Sequence, residues 1–157
     1  MSDSDKRKRL IIGIGNSGRQ DDGLGWSFLD HVEKNFRQFD IEYRYQLQIE
    51  DAELISQYDE VVFVDAAIDA SDNGYYFKPC APSEKYSFST HALKPETILH
   101  LAQSLYHKEP KSYKFGIEGY EWELNIGLTE KAKTNLEKAK EYFNQIVLNN
   151  FIKYTTN

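Results

Sequence analysis

The sequence predicts an α/β fold: a three-layer α/β/α sandwich around a mostly parallel, twisted sheet of about five strands. Three observations predict it. Two short runs, LIIGI at 10–14 and VVFVDAA at 61–67, are continuously apolar, as strands covered on both faces are. Elsewhere apolar residues recur at helical spacing. The two patterns alternate along 157 residues, a length that fits one domain around one core.

Each element has its own signal. LIIGI is a buried strand ending in glycine. Phe28, Leu29, Val32, Phe36 and Phe39 then share a helical face, giving a helix over about 24–38. In IEYRYQLQ, 41–48, apolar Ile41, Tyr43, Tyr45 and Leu47 alternate with polar neighbours, the period of a strand with one buried face. A helical turn follows around 52–57, then the second apolar strand, 61–67. Asn73-Gly74 marks a tight turn in the polar stretch 69–90, and YYFKP after it reads as a short edge strand stopped by Pro79. Pro95 and Glu96 open a helix over 95–107 carrying Ile98, Leu99, Ala102 and Leu105 on one face. SYKFGIEG, 112–119, is the last strand. Thr129-Glu130 starts the longest helix, with Leu128, Ala132, Leu136, Ala139, Phe143, Ile146 and Val147 on one side. Residues 1–9 and 151–157 read as tails of a single domain over 10–150.

Bulk properties remove several function classes. The net charge of -6 argues against nucleic-acid binding, and the one basic cluster, Lys6 to Arg9, sits in the N-terminal tail. Cys80 is the only cysteine, so an intrachain disulfide and a thiolate metal cage are both excluded; it reads as a packed or half-exposed thiol. Leu10-Ile11-Ile12 is too short for a signal peptide, and no stretch is long enough to span a bilayer. A cytoplasmic protein without membrane contact is the expectation.

GIGNSGRQDDGLGW, 13–26, spells G-x-G-x-x-G with Gly13, Gly15 and Gly18. A dinucleotide turn places a helix N-terminus inside that motif, aimed at the pyrophosphate. Here the helical pattern begins only near Leu24, after Asp21 and Asp22, which put negative charge where phosphate would lie. The ribose-binding acid is also misplaced: Asp40 comes before the second strand and Glu50 too late. Nucleotide binding is therefore not expected. The glycines instead let the chain turn tightly and carry two carboxylates to the carboxyl edge of the sheet, where ligands gather in such folds. Asp21 reads as a cap of the following helix. Asp22 has two neighbours to be judged with: Asp65, at the end of the second apolar strand, and His91, in the loop SFSTHALKP. Two carboxylates and an imidazole suit either a divalent transition ion or an acid–base set, and spacing leaves both open. Asn16 either orients a substrate backbone or holds the turn. Glu118, closing the last strand, either lines the pocket or serves the fold. His31, His100 and His107 read as solvated helix faces.

These stretches resemble one family, the hydrogenase maturation endopeptidases. GIGNSGRQDDGLG resembles its opening signature, VVFVDAA its V-D-A strand end, STHALKP its histidine-bearing loop, and GIEGYEWELNIGLTEKA its closing segment; the likeness covers about 10–148. QLQIEDAELI, 46–55, departs from the commoner glycine-containing version of that segment and looks more like members acting on bidirectional, NAD-linked hydrogenases. The resemblance implies an endopeptidase that removes the C-terminal extension of a nickel–iron hydrogenase large-subunit precursor after nickel insertion. It implies Asp22, Asp65 and His91 as the residues that contact nickel, the metal being supplied by the precursor, and Asp22 and Asp65 as the catalytic pair. The family often has glutamate where Asp22 stands. Asn16, Asp21 and Glu118 would be supporting residues. Whether hydrolysis is metal-assisted or of the aspartic type stays open at this level. The other readings are a non-catalytic, metal-sensing assembly factor of the same fold and, last, a nucleotide-binding domain.

Overall fold

The computed structural model describes residues 7–70, 72–84 and 93–148. Its five strands are β1 (Arg9–Ile14), β2 (Asp40–Arg44), β3 (Glu60–Ala67), β4 (Tyr75–Cys80) and β5 (Lys111–Glu118). They form one sheet in the order β2-β1-β3-β5-β4, parallel throughout except for β4, which runs antiparallel to β5. The helices are α1 (Leu24–Asn35), α2 (Asp51–Ile55), α3 (Pro95–Tyr106) and α4 (Glu130–Leu148).

Strand alternation divides the core into two layers. On one face, Ile11, Val62, Val64, Tyr113, Phe115 and Ile117 pack against α1 and α4. Phe143 of α4 meets Phe28 and Phe36 edge-on, Phe39 at a tilt and Phe115 stacked. On the other face, Leu10, Ile12, Val61 and Phe63 pack against α2 and α3 through Ala52, Ile55, Ile98, Leu99 and Ala102. The expected three-layer sandwich with a mostly parallel five-stranded sheet is the architecture found. Among the described residues no helix is long and apolar enough to cross a membrane.

Element boundaries differ from expectation in ways that have physical causes. α1 stops at Asn35 because Phe36 is extended (φ -135°), yet Phe36 and Phe39 still fold back into the core, which prolongs the apolar period beyond the helix. β2 ends at Arg44 rather than 48. Its only neighbour, β1, ends at Ile14, where Gly15 turns away, so Tyr45 onward has no strand to pair with. Leu47 turns into the opposite core layer and bridges to Leu93. β4 runs through Pro79 to Cys80 instead of stopping there. It is an edge strand, where a missing N–H is tolerated.

One feature of the topology positions the site. From β1 the chain crosses to β2 on one side, whereas β3 lies on the other, so the connections diverge between β1 and β3. A crevice opens at the carboxyl ends of strands at such a switch point.

Candidate active site

The glycine-rich loop leaves β1 at this crevice. Gly15 has φ +146°, and a Cβ there would meet the Asp22 carbonyl oxygen at 2.0 Å. The close approach that glycine grants a pyrophosphate in a dinucleotide turn is taken here by the loop's own backbone. Asn16 settles as a turn residue: its Oδ1 accepts the Gly18 N–H at 2.8 Å, and its N–H donates to the Asp22 carbonyl at 3.1 Å. The loop ends in a 3-10 turn, Gln20–Gly23, directly before α1.

Asp21 does not cap α1, whose first turn has no side-chain cap. It points the other way, fully buried, and accepts four hydrogen bonds: from the N–H groups of Tyr120 (2.8 Å), Glu121 (3.1 Å) and Thr129 (2.8 Å), and from the Thr129 hydroxyl (2.8 Å). Burial by itself would raise its pKa. The donated bonds outweigh that cost and hold the carboxyl below its ordinary range. Thr129 Oγ1 in turn accepts the Ala132 N–H at the start of α4. Asp21 thus ties the loop to the segment before the last helix, across 108 residues of sequence.

Asp22 and Asp65 do come together. Asp22 comes from the 3-10 turn after β1 and Asp65 from the carboxyl end of β3, and both line one cavity of about 360 Å³ with Ile14, Gly15, Tyr45 and Lys94. Asp65 sits two residues before the end of β3, in register with Gly116 of β5. It is the first exposed residue of a strand whose preceding five are buried. Desolvation, with a further push from the Asp22 charge, raises its pKa to about 7, against the lowering effects of the Ala66 N–H bond and Lys114. Desolvation also raises Asp22, opposed by an Asn16 N–H bond and the Arg19 charge. Of the two, Asp65 is the carboxyl that exchanges a proton near neutral pH.

The remaining expectations divide. His91 lies outside the described residues. Among those described, no group of three or more His, Cys, Asp and Glu side chains is placed to hold a metal. Glu118 is not among the residues lining either cavity at Asp65: its Oε1 accepts the Ala70 N–H at 3.0 Å, bracing the connection after β3. His31 is not a solvated residue. Its ring bridges Asn144 of α4 (3.0 Å) and Asn35 (3.1 Å). His100 is half-buried beside Ser104, and His107 lies past the end of α3 in a left-handed C-cap, φ +57°. The Cys80 thiol is pushed up to about 12 by burial and by Glu96, so it stays protonated and is no nucleophile at neutral pH.

Sequence reading missed the wall next to Asp65. A second cavity of about 730 Å³ contains Asp65 together with Tyr76, Lys94, Glu96 and Lys114. Lys114 Nζ donates to Glu96 Oε2 at 2.9 Å. The signal was present as a lysine inside an otherwise apolar strand, SYKFGIE. An exposed strand face explains such a lysine equally well without the tertiary fold.

No protein-family profile matches this sequence, and no curated protein is similar to it. Its fold, by contrast, is that of several solved proteins. It is similar to the hydrogenase maturating endopeptidase HybD from E. coli, with a TM-score of 0.64 at 18% identity over 87% of this chain and 89% of that one. The [NiFe] hydrogenase maturation protease HycI from Thermococcus kodakarensis KOD1 gives 0.67 at 20% identity, over 91% and 92%. A hydrogenase 2 maturation peptidase from a Thaumarchaeota archaeon gives 0.64 at 16%, over 90% and 98%. At these identities the likeness is one of fold, and it spans nearly all of each chain: this protein has the fold of the hydrogenase maturation proteases.

Proposed function

We propose that this protein is an endopeptidase that removes the C-terminal extension of a nickel–iron hydrogenase large-subunit precursor once nickel is in place. One observation carries the reading. Two carboxylates at the switch point, Asp22 from the loop after β1 and Asp65 from the end of β3, line one cavity, and desolvation, with the Asp22 charge adding to it, brings Asp65 into the range where it exchanges a proton at neutral pH. The shared fold and the four sequence motifs support the same conclusion.

In this mechanism Asp65 takes a proton from the water that adds to the scissile carbonyl, then returns it to the departing amine. Asp22 keeps negative charge beside it and, with Asp65 and His91, contacts the nickel that the client carries. That nickel is part of the substrate, and when engaged it polarises the scissile carbonyl and reports that loading is complete. The surroundings suit a protein client. Tyr45, Ile49, Ile68, Leu124 and Ile126 all follow the carboxyl ends of strands and are exposed, an apolar rim around the crevice. A cytoplasmic setting is part of the same proposal.

The test is to incubate the protein with nickel-loaded and nickel-free large-subunit precursor and follow precursor mass. Shortening of the loaded precursor alone, lost at least 100-fold in Asp65→Asn, is expected. Wild-type processing by Asp65→Asn overturns the assignment of the site. Binding of the loaded precursor without any shortening identifies a non-catalytic assembly factor instead.

A further inference from the structure

A second set of polar groups, Tyr76, Glu96 and Lys114, shares a cavity with Asp65. In parallel pairing, registered residues share a face, so Phe63 lies with Lys114 and Asp65 with Gly116. Gly116 is in turn registered with Tyr76 on β4. Asp65, Gly116 and Tyr76 therefore form a row across three strands, with Lys114 in the row beneath. The row lies on the face covered by α2 and α3, because Tyr113, Phe115 and Ile117 point to the other.

Gly116 is what brings the row together. A Cβ on it would meet the Tyr76 ring at 2.3 Å and the Tyr76 hydroxyl at 2.8 Å, so the phenol lies across the glycine toward Asp65. The Lys78 ammonium sits over the same ring, 4.6 Å from its centre. The Tyr76 hydroxyl has no hydrogen-bond partner among the described residues, and burial, with the Asp65 charge adding to it, keeps the phenol protonated. Lys114 is held by a single bond to Glu96. An ammonium has three donors, so two remain for the cleft. Glu96 itself stays ionised: the Lys114 bond outweighs its burial. An ion pair at this depth adds little to stability. A leucine or valine would fill a strand position under α3 at least as well.

We infer that Lys114 and Tyr76 form the carbonyl-binding corner of the active site, donating hydrogen bonds to the scissile carbonyl oxygen of the client peptide. As water adds to the carbonyl carbon, the C=O pair moves to oxygen and the resulting anion is met by the Lys114 ammonium and the Tyr76 hydroxyl. The C–N bond then breaks, the amine leaves with the proton Asp65 had taken, and the new C-terminal carboxyl group, having lost the second water proton to solvent, remains as a carboxylate on the same two donors. Donors of this kind act on the transition state more than on bound substrate.

This inference rests on the endopeptidase reading, and one experiment separates the two. Processing kinetics of nickel-loaded precursor are measured for wild type, Lys114→Met, Lys114→Arg and Tyr76→Phe, with thermal melts to show that each is folded. Lys114→Met lowers kcat about 100-fold with KM changed less than about threefold, Lys114→Arg restores at least a tenth of wild-type kcat, and Tyr76→Phe lowers kcat about tenfold. If wild type does not process the precursor, the endopeptidase reading falls and this one with it. If wild type processes and folded Lys114→Met and Tyr76→Phe keep their kcat, or lose only KM, this inference alone is overturned.

Discussion

Aspartates 21 and 22 are neighbours in sequence with opposite fates. Asp21 is surrounded by donors and held ionised; desolvation drives Asp22 and Asp65 toward the protonated form, with the Asp22 charge adding to it at Asp65. The sign of the consequence for stability follows. Asp65 has a pKa of about 7 in the folded protein and an ordinary one, near 3.8, when unfolded. The folded state thus binds the extra proton between these values, and the stability it brings is complete below about pH 4 and lost as pH rises through 7. Asp65→Asn removes this dependence. Paired thermal melts from pH 4.5 to 8 should show the variant gaining on wild type as pH rises, the gap levelling off above neutrality. A gap independent of pH would mean that Asp65 titrates normally.

At the scale of elements, the site is held by contacts between segments far apart in the chain. Arg44 at the end of β2 binds the buried Asp51 at 3.0 Å, and Asp51 also accepts the Gln48 N–H, which fixes the segment carrying Tyr45 against the crevice. Asp21 does the same for the other side. Its four donors include one hydroxyl and three N–H groups that have no other acceptor in those bonds. In Asp21→Asn the amide nitrogen must face an N–H group, leaving buried donors unpaired. A loss of about 2–3 kcal/mol in denaturant unfolding is expected, more than the roughly 1 kcal/mol typical of a surface helix cap. A loss under about 1 kcal/mol would show that the loop repacks freely.

Across the whole molecule, chain topology explains why chemistry gathers at one edge. The order β2-β1-β3-β5-β4 sends connections apart between β1 and β3; Asp65 lies at the carboxyl end of β3, and the loop that leaves β1 carries Asp22 to the same cavity. The same loop geometry that admits the carboxylates fills the space a dinucleotide would need. Calorimetric titration with nickel or cadmium is therefore expected to give one-to-one binding, weakened at least tenfold in each of Asp22→Asn, Asp65→Asn and His91→Ala. NAD should give no heat. Metal binding that all three variants retain, or saturable NAD binding, would remove this assignment.

Local physics made much of this legible in the sequence. The continuous apolar runs of β1 and β3, the helical period from Leu24, and Pro95 at the head of α3 each depend on neighbours a few residues away, and each element formed where its period began. The nucleotide reading could be set aside for the same reason, since the distance from Gly18 to the helix start is a property of the chain alone. What required the tertiary structure were the partners. Which faces of β5 met which helices, where Asp21 pointed, and how Gly116 let Tyr76 lean toward Asp65 all depend on strand register between segments tens of residues apart. A sequence carries the period of each strand, but register is set only when the layers pack, and register decides which side chains share a site.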